Sequence, residues 1–183
     1  MLDERAAREL LISLNAPQEL IDHCESVHSL SVKLADTLNK KSPGIRADKK
    51  LVSVSALLHD IGRTRTQGVD HGVAGAQILR NLNATNDAFL EKVARICERH
   101  IGGGITRAEA KKLGLPDGDY VPRTLEEKIV SYCDNLVDEE NGKIVIRGPE
   151  WVLEKYEKKH GKDSEPALMV KELNRFFERI LGD

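Results

Sequence analysis

Apolar residues recur three and four positions apart along nearly the whole chain, and runs of alternating or β-branched character are nearly absent. This spacing constrains the fold more than any other feature, because a pattern of period 3.6 cannot lie on the face of a strand. It predicts an all-α domain. Helices are expected over residues 3–14, from Pro17 to about Lys40 along the ridge Leu20, Cys24, Val27, Leu34 and Leu38, and from Asp48 to "HDIG", where Gly62 serves as a C-terminal stop. Asp70 is a candidate N-cap for a helix over 71–82, "NATND" turns the chain, and a helix over 87–100 stops before "IGGG". Two Ser/Thr-x-x-Glu boxes, Thr106 with Glu109 and Thr124 with Glu127, start helices near 107–113 and 125–138. Asn141-Gly142 is a turn signal for at most one small β-hairpin near 140–147, and Pro149 and Ser164 open the last two helices.

Length and charge narrow the function classes. A chain of 183 residues is most simply one domain over 1–183, with a core over about 17–140 and a C-terminal helical extension over 149–182. Lysine and arginine number 28 against 30 acids, a balance that predicts no nucleic-acid-coating surface and leaves room for a small anion held by a few local cations. The three cysteines, Cys24, Cys97 and Cys133, form no CxxC pair, which argues against a disulfide framework and a thiolate zinc site. Free thiols suit a reducing compartment. No stretch approaches the ~20 apolar residues of a membrane span, and the start "MLDERAAREL" lacks the basic and then apolar order of a signal peptide. A cytoplasmic location is expected. P-loop, HExxH, GxSxG and Rossmann glycine patterns are absent.

One segment needs a chemical explanation. The apolar run Val52-Ser53-Val54-Ser55-Ala56-Leu57-Leu58 leads straight into His59 and Asp60. An imidazole and a carboxylate inside a core need partners. A bare ion pair at the helix end is one solution. A metal is another, with His28 beside the ridge of its helix, Asp134 bordering the stripe Ile129, Val130, Cys133 and Val137, and His71 and His100 at helix ends as further ligands. His28, His59, Asp60 and Asp134 would hold one ion, while His71 and His100 would hold a second, with one carboxylate bridging. Taken alone, His71 could be an exposed first-turn residue and His100 a partner of the helix dipole. His23, five residues before His28, and His160, in "KYEKKHGKD", read as solvated surface residues.

The words "VHSLSVKLA", "ALLHDIGR" and "KIVSYCDNL" resemble the HD-domain metal-dependent phosphohydrolase superfamily in its HDIG-type form, over roughly residues 20–140. "DHGVAGAQIL" and "CERHIGGG" look like the segments that add His71 and His100 in binuclear members. "HIGGGITRAEAKKLGLP" is similar to a small archaeal-like branch that includes a cyclic-phosphate phosphodiesterase of pterin biosynthesis. The resemblance implies an HD-type helical bundle and two divalent ions, Fe(II) or Mn(II), with Ni, Co, Zn and Mg left open. It implies hydrolysis of a small cyclic nucleotide-like or pterin-like phosphoester by water activated on the metal. His59, Asp60 and Arg63 would be catalytic, and Arg63 and Arg65 would hold substrate oxygens. A nucleoside monophosphate phosphatase and a metal-stabilised binding or regulatory module without turnover are the alternatives. Periodicity leaves open whether the helices near Trp151 and Phe176-Phe177 cover the core or build a homodimer.

Overall fold

A computed structural model describes residues 2–41, 44, 46–82 and 87–182. Helical periodicity becomes helices: α1 (Glu4–Ser13), α2 (Gln18–Lys41), α3 (Lys49–Leu58), α4 (His71–Leu82), α5 (Ala88–Arg99), α6 (Arg107–Lys112), α7 (Leu125–Leu136), α8 (Pro149–His160) and α9 (Glu165–Leu181). The expected turn "NATND" lies largely outside the described residues, as do three positions of the loop before Asp48. The hairpin forms as two antiparallel strands, β1 (Val137–Glu140) and β2 (Lys143–Ile146). Asn141 and Gly142 take φ of 54° and 73°, the left-handed pair that a two-residue turn requires.

Caps fix where the helices start. Asp48 accepts a bond from the Leu51 amide and opens α3. Thr124 and Glu127 form a complete capping box at α7, whereas at α6 only Thr106 caps and the Glu109 side chain turns to Lys112. Asp70 stands just before α4 and its carbonyl accepts from the Ala74 amide, while its carboxylate accepts from the Thr66 hydroxyl at 3.0 Å.

Helix α3 is the axis of the molecule, buried from Leu51 to Leu58 and flanked by α1, α2, α5 and α7. Leu57 and Leu58 are fully buried, each worth ~2 kcal/mol of transfer free energy. The core they join also takes Val152 from α8 and Val170, Leu173 and Phe177 from α9. Two ties then set the helix ends that matter. Buried Glu127 accepts a bond from Arg99 Nη1 at 3.0 Å, joining the end of α5 to the start of α7. Gly62 sits in a 3-10 turn, Ile61–Thr64, and a Cβ there would lie 1.9 Å from the His71 carbonyl oxygen. Gly62 is therefore no left-handed helix stop, because α3 already ends at Leu58. Its missing side chain lets the start of α4 close onto the turn.

Candidate metal centre

Each polar residue of interest is delivered by a helix end or by the inner face of a helix. His59 and Asp60 follow α3, His71 opens α4, His100 caps the end of α5, and Asp134 lies on α7. All five converge, and so does His23 of α2. His23 Nε2 lies 3.0 Å from Asp134 Oδ1, 3.2 Å from His59 Nε2 and 3.7 Å from Asp60 Oδ2. His59 Nε2 is 3.3 Å from Asp134 Oδ1 and 3.8 Å from Asp60 Oδ2. On the other side, Asp60 Oδ1 lies 3.0 Å from His71 Nε2 and 3.3 Å from His100 Nε2, and those two nitrogens are 3.1 Å apart. The cluster thus has two lobes that share Asp60, one facing each of its oxygens.

Proton placement distinguishes this cluster from an ordinary hydrogen-bond network. The Nδ1 atoms of His59, His71 and His100 each lie 2.7 Å from a backbone carbonyl oxygen, of Ala56, Gly68 and Cys97 respectively. A carbonyl can only accept, so each Nδ1 carries the proton and each neutral ring turns its Nε2 lone pair inward. Lone pairs facing one another at 3.1 Å repel unless a cation lies between them or a proton is added. Asp60 Oδ1 is buried with no hydrogen-bond partner among the described residues. Two ligand atoms with bonds of about 2.1 Å, meeting at right or tetrahedral angles, stand about 3.0–3.4 Å apart. The closest pairs in both lobes have that spacing, and the donor set fits divalent cations. His23, His59, Asp60 and Asp134 could hold one, and Asp60, His71 and His100 the other.

Without a cation the charges redistribute. Burial opposes a charge on His59, but Asp60 and Asp134 together outweigh it and raise its pKa well above the usual value. Burial likewise pushes both carboxylates up, yet His59 and His100 with His71 around Asp60, and His23 with His59 around Asp134, win and hold both low. For His100 burial prevails and lowers the pKa. Both acids are therefore ionised at neutral pH, as metal ligands must be. The three thiols are free and buried, and burial raises their pKa values, so none supplies a thiolate at neutral pH.

Residues 20–137 match the HD domain family. The chain belongs to that family. Among similar proteins, a tRNA (cytidine(56)-2'-O)-methyltransferase of Picrophilus torridus is 42% identical over 98% of this chain, and one of Thermoplasma volcanium is 40% identical over 98%. This HD chain spans only 48% of the length of either methyltransferase. An uncharacterized protein of Methanocaldococcus jannaschii is 44% identical over 90% of both chains. In fold, the HD domain of the Listeria monocytogenes phosphodiesterase PgpH superposes with a TM-score of 0.51 at 16% identity, covering 96% of this chain and 98% of that one. The same domain in complex with cyclic-di-AMP gives 0.54, at 16% identity and 97% coverage of both.

The HD pair, His71, His100 and Asp134 meet as the sequence suggests, but His28 does not join them. Its Nε2 lies 3.0 Å from Ser53 Oγ and 3.6 Å from Glu4 Oε1, between α1 and α3. His23, read from sequence as a solvated residue, occupies the cluster instead. The cause is helix geometry: five residues rotate the two side chains about 140° apart, and only the His23 flank of α2 faces Asp134. Arg63 is half-buried in the cleft beside the cluster, and its Nε donates to Asp60 Oδ2 at 2.6 Å. Arg65, expected to join it, is exposed and lies off the cleft lining, because two residues of 3-10 turn carry it round to solvent. The cleft has a volume of about 500 Å³ and is walled in part by α8, through Val152, Lys155, Tyr156 and Lys159. Away from the cleft, the middle residue of the triple glycine meets α9: a Cβ on Gly103 would lie 2.2 Å from the Met169 carbonyl carbon, so bare backbone seats α9 on the HD core.

Proposed function

We propose that this chain is a metal-dependent phosphohydrolase acting on a small phosphoester bound in the α8-walled cleft, and that residues 1–183 act as one domain. A single observation carries the reading: six His and Asp side chains from five parts of the chain point ligand atoms at two adjacent points that share Asp60. When bound there, two divalent ions supply positive charge beside the phosphoryl oxygens and make a water acidic enough to ionise near neutral pH. Asp60 orients both lobes through its two oxygens. Arg63, whose Nε holds that carboxylate, keeps its terminal nitrogens for a non-bridging phosphoryl oxygen. The walls of α8 and β1 exclude bulk water from one side of the cleft. Fe(II) and Mn(II) suit imidazole and carboxylate ligands in this mixture, and nucleotide or pterin phosphodiesters are the substrates we expect. Support comes from the HD family match and from a fold shared with a phosphodiesterase domain.

The methyltransferase names favour a second reading, methyl transfer to tRNA. They belong to chains about twice as long, which makes room for a separate transferase unit in those proteins. Protein loaded with Mn(II) or Fe(II) should be assayed against cyclic phosphodiesters and monophosphates, alongside methyl transfer from S-adenosylmethionine to a tRNA transcript. Phosphate-ester cleavage lost on chelation supports the hydrolase; methyl transfer without cleavage overturns it.

A further inference from the structure

Helix α8 sets two lysines at the rim of the cleft that holds the cluster. Val152, Lys155, Tyr156 and Lys159 fall at i, i+3, i+4 and i+7, one helix stripe, and all four line the cleft that holds His23, Asp60 and Asp134. Val152 is buried and Tyr156 half-buried, whereas Lys155 and Lys159 are exposed at the rim, where they also border an outer pocket with Glu154 and Lys158; the two lysines stand one turn apart, where like charges repel. Lys155 is partly compensated: its ammonium lies 2.8 Å from Asp138 Oδ1 and 4.9 Å from the Trp151 ring centroid, which fixes its position. Among the described residues, no acid lies within ion-pair distance of Lys159. Glu19 and Glu139 line the cleft from the start of α2 and from β1, neither paired with these lysines, so an anion is favoured only along the α8 wall. Between the lysines, Tyr156 offers a phenol whose one acceptor, Asn135 Oδ1, is a long 3.5 Å away. Burial pushes the Tyr156 phenol up to about 12, so it remains a donor at neutral pH.

We propose that Lys155, Tyr156 and Lys159 form a subsite for a second, non-reacting phosphate group on the substrate. The ligand class is a small phosphoester with two separate phosphate groups, one at the metal cluster and one on α8. A cleft of about 500 Å³ has room for a nucleoside carrying both. The assignment rests on reading the cluster as the reacting centre. It lies on a helix outside the residues that match the HD family.

The test compares adenosine 3',5'-bisphosphate with adenosine 5'-monophosphate on the metal-loaded protein. Affinity is read by calorimetry and turnover by phosphate release. The bisphosphate should bind about tenfold or more tightly, the effect expected of charge-assisted bonds at a half-open site. In Lys155→Ala/Lys159→Ala that ratio should fall towards one. Lys159→Glu, at an exposed position, should lower it without disturbing the Asp138 pair. Lys158→Ala removes the same charge one residue away, off the cleft, and should preserve the ratio. Equal affinity for the two ligands in the unaltered protein, or a preference that survives in the double variant, overturns the subsite. Absence of turnover on these two monoesters and on cyclic phosphodiesters, with the preference present and lost in the lysine variants, upholds the subsite and overturns the hydrolase reading alone.

Discussion

Replacing His23 and His28 by alanine, one at a time, separates the metal centre from the sequence motif that points to it. An ion at 1,000 times its dissociation constant stabilises the folded state by about 4.1 kcal/mol. In a chain of this size that is a rise in Tm of about 8–16 °C, taking about 2–4 °C per kcal/mol. His23→Ala removes a nitrogen 3.0 Å from Asp134 and 3.2 Å from His59. Losing even an outer-shell partner weakens metal binding about 10–100-fold, so losing a direct ligand should cost at least about 100-fold, or about 2.7 kcal/mol. The metal-induced rise should shrink by about 5–10 °C, since each kcal/mol corresponds to about 2–4 °C. His28→Ala instead removes a bond to Ser53 Oγ at 3.0 Å, worth about 1 kcal/mol. Its Tm should drop by about 2–4 °C with metal and by the same amount without it. Thermal melts with Mn(II) and with chelator, together with metal content after dialysis, read both effects. A His28→Ala protein that loses its metal response while His23→Ala keeps it would refute this geometry.

Three further outcomes follow from the same coordinates. His71→Ala/His100→Ala should leave about one ion per chain where the unaltered protein holds about two, by elemental analysis, because only the lobe facing Asp60 Oδ1 is dismantled; unchanged stoichiometry counts against two lobes. Gly62→Ala should destabilise the fold by about 3 kcal/mol or more, since its Cβ meets the His71 carbonyl at 1.9 Å, and a chemical melt with an unshifted midpoint would contradict that close approach. Metal binding at pH 7 should release about one proton, because metal-free His59 keeps its proton above the ordinary histidine value and must give it up to a cation. Release should fade as pH rises through the raised value. Calorimetric titrations in buffers of different ionisation enthalpy measure it, and zero release at pH 7 contradicts the raised value.

Sequence periodicity made the helical class legible, because the apolar ridges survive as buried faces, and local signals such as the Thr124–Glu127 box and the Asn141-Gly142 turn keep their roles. Five of the six clustering side chains were legible too. The exception is instructive: the buried residues Leu20, Cys24, Val27, Ser31, Ala35 and Leu38 define the inward direction of α2, and His23 and His28 stand about 75° and 65° to either side of it. Periodicity therefore ranks them equally. What separates them is that α7 packs on one flank and α1 lies on the other, and that information is in the tertiary arrangement alone. Gly62 misled for a related reason, since a glycine after a helix reads as a left-handed stop unless the close neighbour, the start of α4, is known. The lysines of "EKYEKKH" resemble a solvated run because the cleft they border is assembled from separate segments, the start of α2, the turn after α3, and α7 with the hairpin.

Anomalous diffraction from crystals soaked in Mn(II) tests the central claim most directly. Two peaks should stand on either side of Asp60, one within ligand distance of His23, His59 and Asp134 and the other of His71 and His100. A map with no peak at Asp60, or with manganese beside Glu4 and His28 instead, would contradict it.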